Sequence, residues 1–262
     1  MTTVSTPKPA ARPGVIFART PGWRLVPAAL AAVVVLVPMV YLLVRAIEIP
    51  ADRLRAVLLE SRALDYLLNT LGLGISVSAA TLAGGVAIAM GINRGRFPRR
   101  RLWLVLAALP LAIPSYLAAY GWLVIWPTLS GYWPSFFLLT AVTIPYVILP
   151  TVAALRSTGG DQERVARTLG KSPFAAFWVA TWPQIRPAAL AGTLLVFLYT
   201  VSDFGLPAML RFHTLTWGVN AAYSASFDRN QAAVLALLLL LLGLIGVLGE
   251  RRVRGQRELA LG

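Results

Sequence analysis

Apolar residues gather along this chain in runs of membrane length, and the charged residues gather between them. Leu25 to Val44 carries no charge, and neither does Tyr66 to Asn93. From Leu102 to Leu155 there is again no charged side chain, over a length sufficient for two crossings folded at Pro127-Thr128-Leu129-Ser130-Gly131. A fifth run, Ala188 to Leu210, holds a single acid, and Gln231 to Gly249 forms a sixth. A bilayer-crossing helix needs about 20 predominantly apolar residues. The pattern therefore predicts an all-α integral membrane protein of six transmembrane helices. It divides into a disordered basic tail over 1–23, rich in proline, a six-span domain over 24–249, and a basic tail or linker over 250–262. The first run is read as a retained anchor, because no small-residue cleavage site follows it.

The spans differ in character. Asn69 to Gly85 is dense in Gly, Ala, Ser and Thr, residues that let helix backbones approach where lipid supplies no hydrophobic drive, so this span is expected at the centre of a bundle. The leucine-rich sixth is expected to face lipid. Prolines 110, 114, 145, 150 and 207 are expected to kink or break their helices.

The polar insert at 156–187 has helix punctuation of its own. Asp161 is placed to cap a helix with Glu163 in its first turn, Gly170 to end that helix left-handed, and Ser172-Pro173 to open a second one. A short helix, a turn and another helix follow, with Pro183 and Pro187 sending the chain back toward the bilayer.

Charge then orients the molecule. Of the 24 Lys and Arg residues, 18 fall in the N-terminal tail, the loop around Arg94–Arg101, the 156–187 loop and the C-terminal tail. Cytoplasmic loops are enriched in these residues. Both termini and the 156–187 loop are thus expected in the cytoplasm, and the net charge of +14 becomes mostly an inward-facing belt. Such charges flank spans and lack the aromatic interleaving of a single-strand groove, which argues against nucleic acid as partner. With no cysteine, disulfides, thiolate metal sites and cysteine nucleophiles are excluded.

Within the fifth span Tyr199, Ser202 and Asp203 stand at i, i+3 and i+4, one polar face if the helix continues. They are read either as a pathway-lining or gating patch, or as a group in which Asp203 merely caps the outer end of its span. His213 is the only histidine and is read as an ordinary loop residue. A membrane-embedded enzyme would need an acid-base pair or metal ligands at depth, and only one acid is found there.

Asp161 to Pro183 resembles the EAA loop of ABC-importer permeases, in which Glu-Ala-Ala is followed by three residues, Gly, nine residues, an aliphatic, one residue and Leu-Pro. Gly170 and Pro183 keep the spacing, whereas the Glu-Ala-Ala slot holds Arg164, Val165 and Ala166, with Glu163 one place early. Leu109–Tyr116 and Leu194–Leu210 are similar to the ferric-iron branch of the binding-protein-dependent type I (MetI-like) permeases. The resemblance implies a MetI-like bundle in a bacterial inner membrane, translocating a substrate, ferric iron in that branch, delivered by a solute-binding protein. Thiamine, phosphonate and polyamine are the cargoes of related branches. It implies ATP-binding cassette subunits as separate partners, a second permease half, identical or homologous, and no cofactor in this chain. Asp161, Glu163, Arg164, Ala166, Arg167, Gly170 and Pro183 would form the ATPase-coupling loop, with Asp161 to Leu169 as lever. Members are often about twice this length, and this chain resembles the N-terminal half. Whether it is a natural half or a truncated one is left open. No phosphate-binding loop of the G-x-x-x-x-G-K-[ST] kind occurs, so ATP hydrolysis is expected elsewhere.

Overall fold

A computed structural model describes residues 25–60, 62–95, 99–157, 161–225 and 227–258. The tail expected over 1–23 lies outside them, as does the very end of the C-terminal tail. The chain divides into two units, 1–41 and 42–262. The first unit holds most of α1 (Leu25–Ile47), a 23-residue helix free of acids.

In the second unit, α2 (Ala51–Arg55) and a π-helical turn (Ala56–Glu60) lead to α3 (Ala63–Arg94). Then come α4 (Arg100–Ala108), a 3-10 turn (Leu109–Ala112), α5 (Ser115–Ile125), α6 (Tyr132–Thr143) and α7 (Pro145–Ser157). The connecting insert carries α8 (Asp161–Thr168), and α9 (Pro173–Ala176) passes through a π-helical turn (Phe177–Thr181) into α10 (Trp182–Ser202). The short α11 (Gly205–Met209), α12 (Leu215–Ser224) and the long α13 (Arg229–Glu258) complete the fold. Among the described residues every regular element is helical, and five helical stretches are long and apolar enough to cross a membrane.

A bent pair makes a sixth candidate, either a broken span or a re-entrant loop. Arg101–Ala112 and Ser115–Ile125 meet at 90°. Pro110 tightens the first arm into a 3-10 turn, and Pro114, extended at φ −55° and ψ 139°, forces Ile113 out of the helical region ahead of it. The fold-back after Ile125 occurs where Pro127–Gly131 places it, ahead of α6.

Helix α3 is central, as its small residues require. Thr70, Leu73, Val77, Thr81, Gly85, Ala89 and Ile92 are buried at spacings of three and four, and the helix packs chiefly on α7 and α10. Leu139, Val147, Ile148, Ile185, Ala189 and Val196 close the same core. Val147 of α7 sits between two glycines: Gly85 of α3 leaves room for its side chain, and Gly192 of α10 lies against its backbone. Helix α13 is less lipid-facing than its leucines suggest, since Ala232, Ala233, Val234, Leu235 and Leu242 are buried while Leu241, Leu244 and Ile245 stay exposed. It also continues beyond Gly249 to Glu258.

At the far end of α3 the backbone of α12 is fastened by a side chain. Thr70 Oγ1 donates to the Tyr66 carbonyl at 2.7 Å and accepts from the Leu215 N–H at 2.8 Å, in a fully buried position. Thr70→Val keeps the volume and strands the Leu215 donor. It is expected to cost about 1–3 kcal/mol, read as a lowered unfolding midpoint of the purified protein in detergent.

Candidate functional site

The α8 segment is built almost entirely by local rules. It begins at Asp161, whose side chain lies outside the described set, and ends in a closed left-handed cap. Gly170 takes φ +82°, its N–H donates to the Arg167 carbonyl at 3.1 Å, and the Lys171 N–H donates to the Ala166 carbonyl at 3.2 Å. These are the two bonds of a Schellman motif, which needs a residue at ease with positive φ. Ser172 then accepts from the Ala175 N–H at 3.2 Å with Pro173 next, so the chain turns and re-enters a helix within four residues.

That second helix is a correction to the sequence reading. Pro183 and Pro187 do not redirect the chain, and Pro173 to Ser202 runs as one helical stretch. Pro183 has no N–H to give the Val179 carbonyl. The ladder passes this point by widening, with the Trp182 N–H donating to Phe177 five residues back. Pro183 itself sits in the first turn of α10, half-buried.

Two faces of α8 differ in what they meet. Arg164, Val165, Arg167, Thr168 and Leu169 are exposed, Ala166 is half-buried, and Val165 and Leu169 are 57% and 78% accessible. Phe174 continues this apolar surface across the turn, at 74%. On the inner side, Glu163 does not pair along its own helix. Its Oε2 accepts from Arg94 Nη2 at the end of α3 and from Thr181 Oγ1 at 2.5 Å. Gln184 of α10 donates to Gln162 at 2.5 Å beside it. Sequence reasoning singled out Glu163 but missed Arg94, Thr181 and Gln184, which lie 18 to 69 residues away.

The outer candidates fall differently. The fifth span stops at Ser202, eight residues short of the predicted Leu210, so Asp203 is extended at ψ 121° and off the helix. Tyr199, Ser202 and Asp203 therefore do not form a continuing polar face, although they remain close. The Ser202 hydroxyl and the Asp203 N–H both donate to the Tyr199 carbonyl. Asp203 Oδ1 accepts from the Gly205 N–H at 3.0 Å, which caps α11, and its carbonyl accepts from Thr216. Ser115 is buried at the bend of the broken crossing, and Tyr116 next to it lies against Gly205, where a Cβ would come within 2.8 Å of the tyrosine side chain. The two chain breaks thus meet here. His213 stacks on Trp217 with centroids 4.0 Å apart, and its carbonyl accepts from Asn69.

Helix α3 separates these sites. Asn69 near its start touches the His213 loop, Arg94 at its end touches α8, and a helix of 32 residues spans about 48 Å. The α8 insert and the Asp203–His213 region therefore occupy opposite ends of the membrane-spanning unit.

This is the arrangement of a multi-span membrane protein with a polar helical insert at one end. Residues 82–253 match the family described as binding-protein-dependent transport system inner membrane component, and the chain belongs to that family, the MetI-like permeases of ABC importers. It is 30% identical over 241 residues to the Fe(3+)-transport system permease protein FbpB 2 of Haemophilus influenzae, covering 92% of this chain and 48% of that protein. It is 28% identical over 189 residues to the sulfate transport system permease protein CysW of Escherichia coli, covering 66% of this chain and 65% of the relative. It is 28% identical over 250 residues to the molybdenum transport system permease protein ModB of Mycobacterium tuberculosis, covering 87% and 93%. The chain spans about half the length of the iron permease it matches.

Proposed function

We propose that this chain is a transmembrane permease subunit of an ABC importer, coupled through α8 to a separate ATP-binding cassette ATPase. The observation that carries this reading is the α8 insert: a short helix closed by Gly170, tied inward through Glu163, and presenting Val165, Leu169 and Phe174 outward. Exposed apolar side chains rimmed by Arg164 and Arg167 are suited to a groove on a protein partner. ATP hydrolysis belongs to that partner. A second permease half, identical or homologous, completes the path, and a solute-binding protein delivers cargo at the opposite end, where Arg53 pairs with Asp228 at 2.8 Å. The excess of Arg and Lys at the α8 end supports a cytoplasmic side for it and for both termini in a bacterium, and on this reading the domain at 24–249 lies in the inner membrane.

Ferric ion is the cargo this reading favours, on the relationship to the iron permease over nearly the whole chain. Thiamine, phosphonate or polyamine is the alternative. For ferric ion the binding protein holds the cargo, since the fifth predicted span offers only Tyr199 and Asp203 as anionic or phenolic oxygen ligands.

The test is co-expression with the neighbouring genes, purification in nanodiscs, and measurement of which subunit co-elutes and of ATPase activity with binding protein added. Leu169→Glu puts a charge in the centre of the outward surface. It is expected to weaken recovery of the ATPase by about tenfold or more, with normal membrane abundance of the permease. Recovery unchanged by Leu169→Glu and Val165→Glu together would remove α8 as the docking element.

A further inference from the structure

Helix α8 is fixed to the bundle at its own inner face, and the fixing group is one that a coupling loop does not need for docking. Glu163 Oε2 bridges Arg94, the last residue of α3, and Thr181, the last residue of the π-helical turn before α10. Its side chain is only 15% exposed, so the ion pair is shielded on the carboxylate side. One residue earlier, Gln162 accepts from Gln184 of α10. Adjacent residues of one short helix thus hold the ends of two different membrane helices. Those two, α3 and α10, pack extensively on each other and on α7.

Resting on the permease reading above, we propose that the Arg94–Glu163 pair, with the Thr181 hydroxyl, is the joint through which displacement of α8 is delivered to α3. Arg94 and Glu163 are positioning residues and touch neither nucleotide nor cargo. The geometry supports transmission over simple stabilisation of the loop. Helix α8 closes its C-terminal end by the Schellman bonds at Gly170, so the pair is not needed as its cap. The pair instead connects positions 69 residues apart, on separate elements. Without it, the side-chain bond described from α8 to a membrane helix is Gln162–Gln184, which leads into α10, while the chain itself joins α8 to α7. A push on α8 would then reach α10 and α7, and α3 only secondhand through packing. With it, both central helices receive the push together, which suits a bundle that must move as rigid bodies. The early position of the acid, one residue ahead of the slot filled by Arg164, turns it inward toward Arg94.

The chain has no cysteine, so a pair of introduced thiols is labelled without background. Spin labels at Thr168→Cys on exposed α8 and Gly91→Cys on α3, where added atoms meet nothing within 4 Å, report the joint directly. Electron-electron distance measurement in nanodiscs is expected to give one narrow distribution in the parent chain. It should broaden in Glu163→Gln and in Arg94→Gln and narrow again in the double variant Arg94→Glu/Glu163→Arg. In the assembled complex, recovery of ATPase should stay within about twofold, because neither side chain belongs to the outward apolar surface of α8. The ratio of binding-protein-stimulated to basal ATPase activity should fall at least about fivefold in each single variant. Arg94→Lys, which keeps the charge, should retain at least half of that ratio, and so should the double reversal. Unbroadened distributions in both single variants, or broadened ones with an unchanged ratio, would overturn the joint while leaving the permease intact. A parent chain that recruits no ATPase would overturn the permease reading, and the joint's role with it.

Discussion

Gly192→Ala is expected to leave little folded protein in the membrane, though it adds a single methyl group. A Cβ at this position would stand 2.3 Å from the Tyr146 carbonyl oxygen and 3.0 Å from the Val147 Cα, inside any permissible contact. Both opposing atoms are backbone, so no rotamer change relieves the clash, and helix α7 must move bodily away from α10. Helix α7 cannot move freely, because Val147 is held from the other side by Gly85 of α3, where a Cβ would come within 2.8 Å. In lipid, helices associate through close van der Waals contact and not through apolar burial, so separating this crossing forfeits the term that holds the bundle together. Overpacking of this kind costs about 3 kcal/mol or more, a large share of the 5–15 kcal/mol typical of a folded domain. The measurement is membrane abundance and the unfolding midpoint in detergent. The control is Gly91→Ala on α3, the same change with nothing within 4 Å, which should be neutral or slightly stabilising. Equal behaviour of the two variants would refute the close crossing of α7 and α10.

What the sequence could and could not announce follows from range. The fold-back near Pro127–Gly131, the left-handed end at Gly170 and the Ser172 cap all depend on residues within a few positions of one another, and they stand in the structure where local chemistry puts them. The centrality of α3 was also legible, because a run of small residues states how near a neighbour must come. The misjudged elements all involve a choice between local and distant partners. Pro183 and Pro187 signal a break, yet packing of Ile185 and Ala189 in the core keeps the helix continuous, and the missing N–H is absorbed by a π-helical turn. Asp203 fits a helical i+4 position, but its carboxylate instead caps α11 and its carbonyl is taken by Thr216, so the span ends early. For Glu163 the sequence offers arginines nearby at 164 and 167, and the carboxylate is used by Arg94, which no periodicity could select.

Gly170→Pro is expected to uncouple the chain from its ATPase without unfolding it. Three consequences coincide at this residue. Proline fixes φ near −65°, far from the +82° observed. It also deletes the N–H that donates to the Arg167 carbonyl, and the altered path pulls Lys171 away from the Ala166 carbonyl. With both Schellman bonds gone, the last turn of α8 is uncapped, and the angle between α8 and the helix starting at Pro173 is no longer set. Nothing lies within 4 Å of a Cβ at Gly170, so the effect comes from backbone conformation and not from crowding. The substitutions should therefore rank by tolerance of positive φ. Asn should approach wild type, Ala should cost about 1 kcal/mol, and Val and Pro should cost more, with ATPase recovery falling at least about tenfold for Pro. Abundance in the membrane should hardly change, because the turn is exposed and the bundle core does not include it. If Gly170→Pro instead retained ATPase while Gly170→Asn lost it, side-chain contact and not backbone hand would govern the turn. A rigid connection between α8 and α10 through this turn would then be wrong.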